Sequence, residues 1–216
     1  MVTAARVLRF TRTERAAHWL LVATLAAILL SGTQMPHHWD ADQPVVDIHV
    51  GGALLLVAGL ALLLWQANRH ALVATAVQLS TTEPGDREWL LGMPDRLRTG
   101  AGPPPVGRFN AGQKLNARLS TLALAVLYAT GAALLLVSRG LPQGPLHTLT
   151  TVALCALVSG HVFMAVFNPG TRHALRGMTL GEVDRAWAEH HHPRWVSELD
   201  REATVRPSDL EVDRGS

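Results

Sequence analysis

Four apolar blocks, each close to the length that crosses a lipid bilayer as a helix, constrain this 216-residue chain more than any other feature. A hydrocarbon core about 30 Å thick takes roughly 20 apolar residues of helix to span. The segments at about 16–32, 50–68, 119–137 and 146–167 approach or meet that length, with charge nearly absent inside them and dense between them. Charged residues are only 17% of the chain, below the roughly 25% of soluble domains. Inside lipid a backbone amide finds no water, so each span must satisfy its own N–H and C=O groups, as a helix does. Alternating strand patterns are absent. The expected fold is therefore all-α, a four-helix transmembrane bundle. The first block starts too late, and lacks the small-residue cleavage site, for a removable signal peptide, so it is expected to remain as span one.

Basic residues set the expected orientation. Arg6, Arg9, Arg12 and Arg15 precede or open span one. Arg69, Arg87, Arg96, Arg98, Arg108, Lys114 and Arg118 occupy the middle loop and its flanks, and seven arginines follow span four. The two short opposite connections carry only Arg139, together with Asp40, Asp42 and Asp47. The positive-inside rule places both termini and the middle loop in the cytoplasm of a bacterial inner membrane. No nucleic-acid partner is expected; the partner of this surface is the bilayer.

Residues 1–178 read as the membrane domain, 179–200 as a cytoplasmic C-terminal helix, and 201–216 as a polar tail expected to be disordered. Within the middle loop, 84–98 mixes Trp89, Leu90 and Leu91 with charge, a composition suited to the membrane surface. Pro103, Pro104 and Pro105 impose an extended stretch. The single cysteine, Cys155, lies mid-span and reads as a small packing residue. With no C-x-x-C-H there is no covalent c-type haem attachment.

Position sorts the eleven histidines. His37, His38, His173, His190, His191 and His192 fall in loops or the tail and read as solvated or interfacial. His18, His49, His70, His147 and His161 lie at or within spans, where an ionisable side chain is costly and points to a function with a named partner. His147 and His161 share span four at a spacing of 14 residues. That spacing is about 21 Å along a helix with an angular offset of about 40°, so both project from one face. His49 opens span two at the depth of His147, and His18 lies about one turn into span one near the depth of His161. Two bis-histidine pairs result, His49–His147 outside and His18–His161 on the cytoplasmic side, a geometry for two metal centres stacked across the bilayer. Neutral imidazoles bound to iron need no charged partner. Gly51, Gly52 and Gly160 beside them allow a flat macrocycle to approach the backbone. His70, 21 residues beyond His49 and beside Arg69, lies too shallow to match His161. Two rival readings remain at this point: interhelical hydrogen bonding by the histidines, and a metal transporter, against which stands the lack of any carboxylate in the spans.

Leading into span three, Arg108-Phe109-Asn110-Ala111-Gly112-Gln113-Lys114 offers donors of the kind a quinone carbonyl needs: Asn110, the backbone at Gly112, Gln113 and Lys114. An equally good reading makes Asn110 a helix cap and Lys114 a snorkelling anchor.

These residues resemble the cytochrome b (gamma) subunits of membrane-bound formate dehydrogenases, in the wider formate dehydrogenase and nickel–iron hydrogenase cytochrome b family. The resemblance is carried by RFTRTERAAHWLL at 9–21, GRFNAGQKLNA at 107–117, the His147/His161 spacing, and GMTLGEVDRAWAEHHHPRW at 177–195. It implies two haems b ligated by the same two pairs, and a menaquinone site at Asn110 and Gly112. It further implies an iron–sulfur (beta) subunit that delivers electrons and a molybdenum- or tungsten-containing catalytic (alpha) subunit on which formate is oxidised. A higher oligomer of that heterotrimer is compatible with it. The same architecture could serve a hydrogenase or another respiratory dehydrogenase, and a haem-free membrane transporter or anchor is the alternative of a different class.

Overall fold

Thr11 starts the first span earlier than its apolar block suggests. In a computed structural model describing residues 5–35, 43–66, 69–99, 104–137 and 144–212, helix α1 runs Arg12–Gln34. Glu14 N–H donates to Thr11 Oγ1 at 3.3 Å, and Thr11 N–H donates to Glu14 Oε2 at 2.7 Å. This reciprocal box satisfies two amides that every helix start leaves orphaned. Helices α2 (Gln43–Gln66), α3 (Arg69–Ser80), α4 (Asp86–Leu91), α5 (Met93–Thr99) and α6 (Ala111–Val137) follow. Helix α7 (Pro145–Val162) opens with Pro at its first position and passes into a π-helical turn at Phe163–Phe167.

Four of these helices, at 12–34, 43–66, 111–136 and 145–167, are long and apolar enough to cross a membrane. Only 6–11% of their most apolar windows is buried in the protein. Leu54 and Leu136 stand 66% and 83% exposed; apolar area of that extent is stable against lipid and not against water. Helix α1 packs along α2, and α6 along α7. The first seam is closed by small residues: a Cβ at Gly59 would lie 2.5 Å from Leu20 Cδ2, and one at Gly52 3.0 Å from Ile28 Cγ1. No comparable packing joins α1 or α2 to α7.

The N-terminal arm, middle loop and tail gather at one end of the bundle as a polar cap. Here the structure corrects three expectations. Strand pattern is present after all: β1 (Arg6–Leu8) and β2 (Glu182–Asp184) pair antiparallel, with Val7 opposite Val183. Three-residue strands are too short to show a period, and their pairing is decided by contacts across the whole chain. Gly181 precedes β2 at φ +95°, a backbone region that glycine enters without strain, and its carbonyl accepts from the N–H groups of Arg9 and Phe10 at 2.8 and 3.0 Å. The single tail helix expected from 179 is instead α8 (Leu175–Thr179), β2, α9 (Arg185–His191) and α10 (Pro193–Val212). Pro193 cannot continue α9 with a donor, so it opens a new helix. Lastly, α10 runs past Arg201 to Val212, where a disordered tail was expected; its mixed-sign charges suit a solvated helix as well as a coil.

The cap has its own core of Val7, Val183, Ala188, Trp195 and Val196. Segment 84–98 forms α4 and α5, with α4 packed on the start of α6. Cys155 is exposed on α7, not packed. His37, His38, Asp40, Asp42, Pro103 and Arg139 lie outside the described residues.

Candidate functional site

The structure brings the four span histidines together as two pairs. His18 of α1 faces His161 of α7 at the cap end, with ring centroids 6.3 Å apart and planes inclined 61°. His49 of α2 faces His147 of α7 at the far end, at 6.4 Å and 55°. No hydrogen bond joins the rings within either pair among the described residues; His49 and His147 do bond to neighbouring helices through Nδ1, and those bonds leave unexplained why the rings face each other in pairs. Two imidazoles on opposite sides of one metal, each at about 2 Å from nitrogen to metal and about 1 Å from nitrogen to ring centre, stand about 6 Å apart. No group of three or more His, Cys, Asp or Glu converges among the described residues. Two protein ligands per centre are what an iron already held by a macrocycle requires.

The far-end rings are oriented by their other nitrogen. His49 Nδ1 lies 3.0 Å from the Ile28 carbonyl, with Ser31 Oγ at 3.3 Å. A carbonyl only accepts, so Nδ1 carries the proton and Nε2 keeps its lone pair for a metal. His147 Nδ1 lies 2.8 Å from Thr130 Oγ1. That hydroxyl spends its own proton on the Val126 carbonyl at 2.7 Å, so it accepts from His147, and Nε2 is again free. Gly32 makes room for the His49 ring, since a Cβ there would stand 3.2 Å from His49 Cε1, while a Cβ at Gly131 would meet His147 Cε1 at an ordinary contact distance of 3.5 Å. Thus a hydroxyl–glycine dipeptide, Ser31-Gly32 on α1 and Thr130-Gly131 on α6, backs each far-end histidine. Sequence reasoning missed both, although two such dipeptides near the far ends of apolar spans were the signal. Of the glycines singled out from sequence, Gly51 and Gly160 have open space where a Cβ would be, as a flat ring needs, whereas Gly52 serves helix packing. His70 is exposed at the start of α3.

At the start of α6, Gln113 N–H donates to Asn110 Oδ1 at 2.9 Å and Asn110 N–H to Gln113 Oε1 at 3.0 Å. Because both amide oxygens accept from backbone, the orientation of each side chain is settled, and both NH2 groups remain as donors without a partner among the described residues. Gly112 lies under Trp89, whose Cη2 would be 3.0 Å from a Cβ there. Lys114 is no snorkelling anchor. It is buried, with its Nζ 3.0 Å from both Glu83 and Asp86, because the middle loop folds its acids over the helix start. An open cavity of about 340 Å³ beside it is lined by Glu14, Gln78, Arg108, Phe109 and Lys114, among others. Glu14 pairs with Arg108 at 2.7 Å and sits one helical turn from His18 on the same face of α1.

The tail histidines separate. His190 is exposed, but His192 is buried, contrary to a solvated reading. Its Nδ1–H donates to the Gly107 carbonyl at 2.8 Å and its Nε2 accepts from Arg9 Nη2 at 3.1 Å. Burial first, and then the Arg9 charge, push its pKa down to about 3. Arg9 is itself buried, pushed down to about 9 by desolvation and by Arg108. Its guanidinium sits over Trp187, Phe10 and Trp195 at 5.2, 5.6 and 5.7 Å from the ring centres, where cation–π attraction offsets part of the lost hydration.

The family model described as prokaryotic cytochrome b561 matches residues 9–181. The chain is 25% identical over 207 residues to the cytochrome b556(Fdn) subunit of the nitrate-inducible formate dehydrogenase of Escherichia coli K12, covering 91% of this chain and 93% of that one. It is 26% identical to the formate dehydrogenase cytochrome b556 subunit of Haemophilus influenzae, over 89% and 83% of the two chains. A stretch of 54 residues, a quarter of the chain, is 39% identical to the cytochrome b556(fdo) subunit of E. coli formate dehydrogenase.

Proposed function

This chain belongs to the prokaryotic cytochrome b561 family, and from that premise we propose that it is the dihaem cytochrome b subunit of a membrane-bound formate dehydrogenase. It carries electrons from an iron–sulfur subunit across the bacterial inner membrane to menaquinone. The observation that carries the reading is the spacing of the two histidine pairs, 6.3 and 6.4 Å between ring centres, on helices whose contacts with each other are at most sparse. Residues 1–178 hold the two haems b, with His49 and His147 as ligands at the periplasmic end and His18 and His161 at the cytoplasmic end. Bound there, haem b supplies reversible one-electron exchange at iron.

The chain's own residues do the rest. The positive-inside pattern puts the polar cap in the cytoplasm, so both termini lie there and the far end faces the iron–sulfur partner. Formate oxidation belongs to the molybdenum or tungsten subunit beyond that partner. The quinone headgroup binds at the start of α6, where the Asn110 and Gln113 NH2 groups donate to its carbonyl oxygens. Gly112 lets the Trp89 ring close over the helix start beside them, and Lys114, held by Glu83 and Asp86, lines the neighbouring cavity. Support for the donor comes from the relatives' names; support for the quinone segment comes from the free amide donors and the resemblance at 107–117.

A dithionite-reduced minus oxidised spectrum of the purified full-length protein tests the class. A b-type alpha band is expected. Its absence would make the protein a haem-free transporter or anchor.

A further inference from the structure

We propose that Thr130 is a positioning residue for the far-end pair, and that the hydrogen bonds around this pair set its haem to a lower potential than the cap-end one. The inference rests on the dihaem reading and goes beyond it, since that reading says nothing about which centre is the more reducing. The two pairs are alike in ring spacing and unlike in surroundings. Both far-end rings donate from Nδ1, His49 to the Ile28 carbonyl at 3.0 Å and His147 to Thr130 Oγ1 at 2.8 Å. Neither His18 nor His161 makes a hydrogen bond from its ring among the described residues; His18 instead meets the Trp19 ring edge-on at 5.5 Å.

An imidazole whose Nδ1–H is drawn toward an acceptor is the more electron-donating ligand at Nε2. Such a ligand favours the more highly charged, oxidised iron and so lowers the potential. Two such ligands at one centre and none at the other give the centres opposite bias. That order favours electron movement from the far end toward the cap end, the direction the proposed function requires.

Thr130 suits the task because its hydroxyl is already committed. Donation to the Val126 carbonyl at 2.7 Å and proximity to the Leu127 carbonyl at 3.2 Å lock its rotamer, which leaves a lone pair aimed at His147. Without the hydroxyl the His147 ring would keep its packing and lose its acceptor.

Redox titration of the purified complex, followed at the b-type alpha band, tests this in wild type, Thr130→Val, Thr130→Ser and His147→Ala. The component absent from His147→Ala identifies the far-end haem. We expect it to be the lower of the two in wild type, to move upward in Thr130→Val with the other component unmoved, and to stay near its wild-type position in Thr130→Ser. Loss of that haem in the valine variant with retention in the serine variant would equally assign the role to the hydroxyl. Identical behaviour of the two variants, an unmoved valine variant, or a far-end haem that is the higher one would overturn the inference. A wild-type complex without haem would instead overturn the reading beneath it.

Discussion

At the scale of single residues, the site turns on which atoms already have partners. Asn110 and Gln113 looked ambiguous in sequence, either a helix cap or quinone donors. The geometry shows that one side chain serves as a cap through its oxygen while its nitrogen remains available. Replacing Asn110 with Asp separates the two roles. Asp is an equally good cap and keeps an oxygen for the Gln113 N–H, but it offers no NH2. Both haems should be retained while quinol-driven haem reduction slows about 5- to 100-fold, the loss of one hydrogen bond in a partly buried site. Stopped-flow reduction by a menaquinol analogue measures it, and a wild-type rate would remove Asn110 from the quinone site. The histidine pairs were legible residue by residue because depth along a helix follows directly from residue count. The supports of His49 and His147 were not, since Ser31 and Thr130 look like ordinary hydroxyls that bond back to their own helix until a ring from another helix is placed beside them.

Among the elements, the four spans were readable from their apolar blocks, and the structure chiefly lengthens them at polar starts such as Thr11 and Asn110. Helix α3, the β1–β2 pair and the break between α9 and α10 were not readable, because each depends on partners far away in sequence. His192 is the clearest case: it closes the α9–α10 junction by bonding Arg9, 183 residues away, and Gly107. Its folded pKa of about 3 lies below the usual value near 6.5 for histidine. The unfolded junction therefore binds the extra proton below about pH 6.5. The stability that neutral His192 contributes is present above that pH and is lost as pH falls toward 3, by up to about 1.4 kcal/mol per unit. Hydrogen exchange of backbone amides in 182–196, corrected for the intrinsic pH dependence, should show the junction opening more readily at pH 5 than at pH 7. The change should be absent in His192→Gln, which can donate and accept in the same places without titrating. Equal protection of the wild type at both pH values would contradict the neutral, buried state.

For the whole molecule, composition and charge were enough to give a four-span chain, but not the architecture of its polar end. There β1, the middle loop and the tail interlock through Arg9 with Arg108, Arg194 with Glu83, and Lys114 with Asp86. One consequence is that the described parts of the N-terminal arm, middle loop and tail gather at one end of the bundle; the cytoplasmic placement of that end is the proposal that the arginine distribution supports. Another is division of labour along the bundle. The far end orients its two histidines through hydrogen bonds at Nδ1, while the cap end carries the His18–His161 pair one helical turn from Glu14, which lines the polar cavity. The proposed function depends on α7 carrying His147 and His161 on a single face as one ligand of each of two haems. The most direct measurement is therefore the number of haems b per chain in the purified complex, by pyridine haemochrome, for wild type and for His18→Ala, His49→Ala, His147→Ala and His161→Ala. Two are expected in the wild type and one in each variant. A wild type with fewer than two, or a His49 or His147 variant that keeps both, would contradict the proposed function.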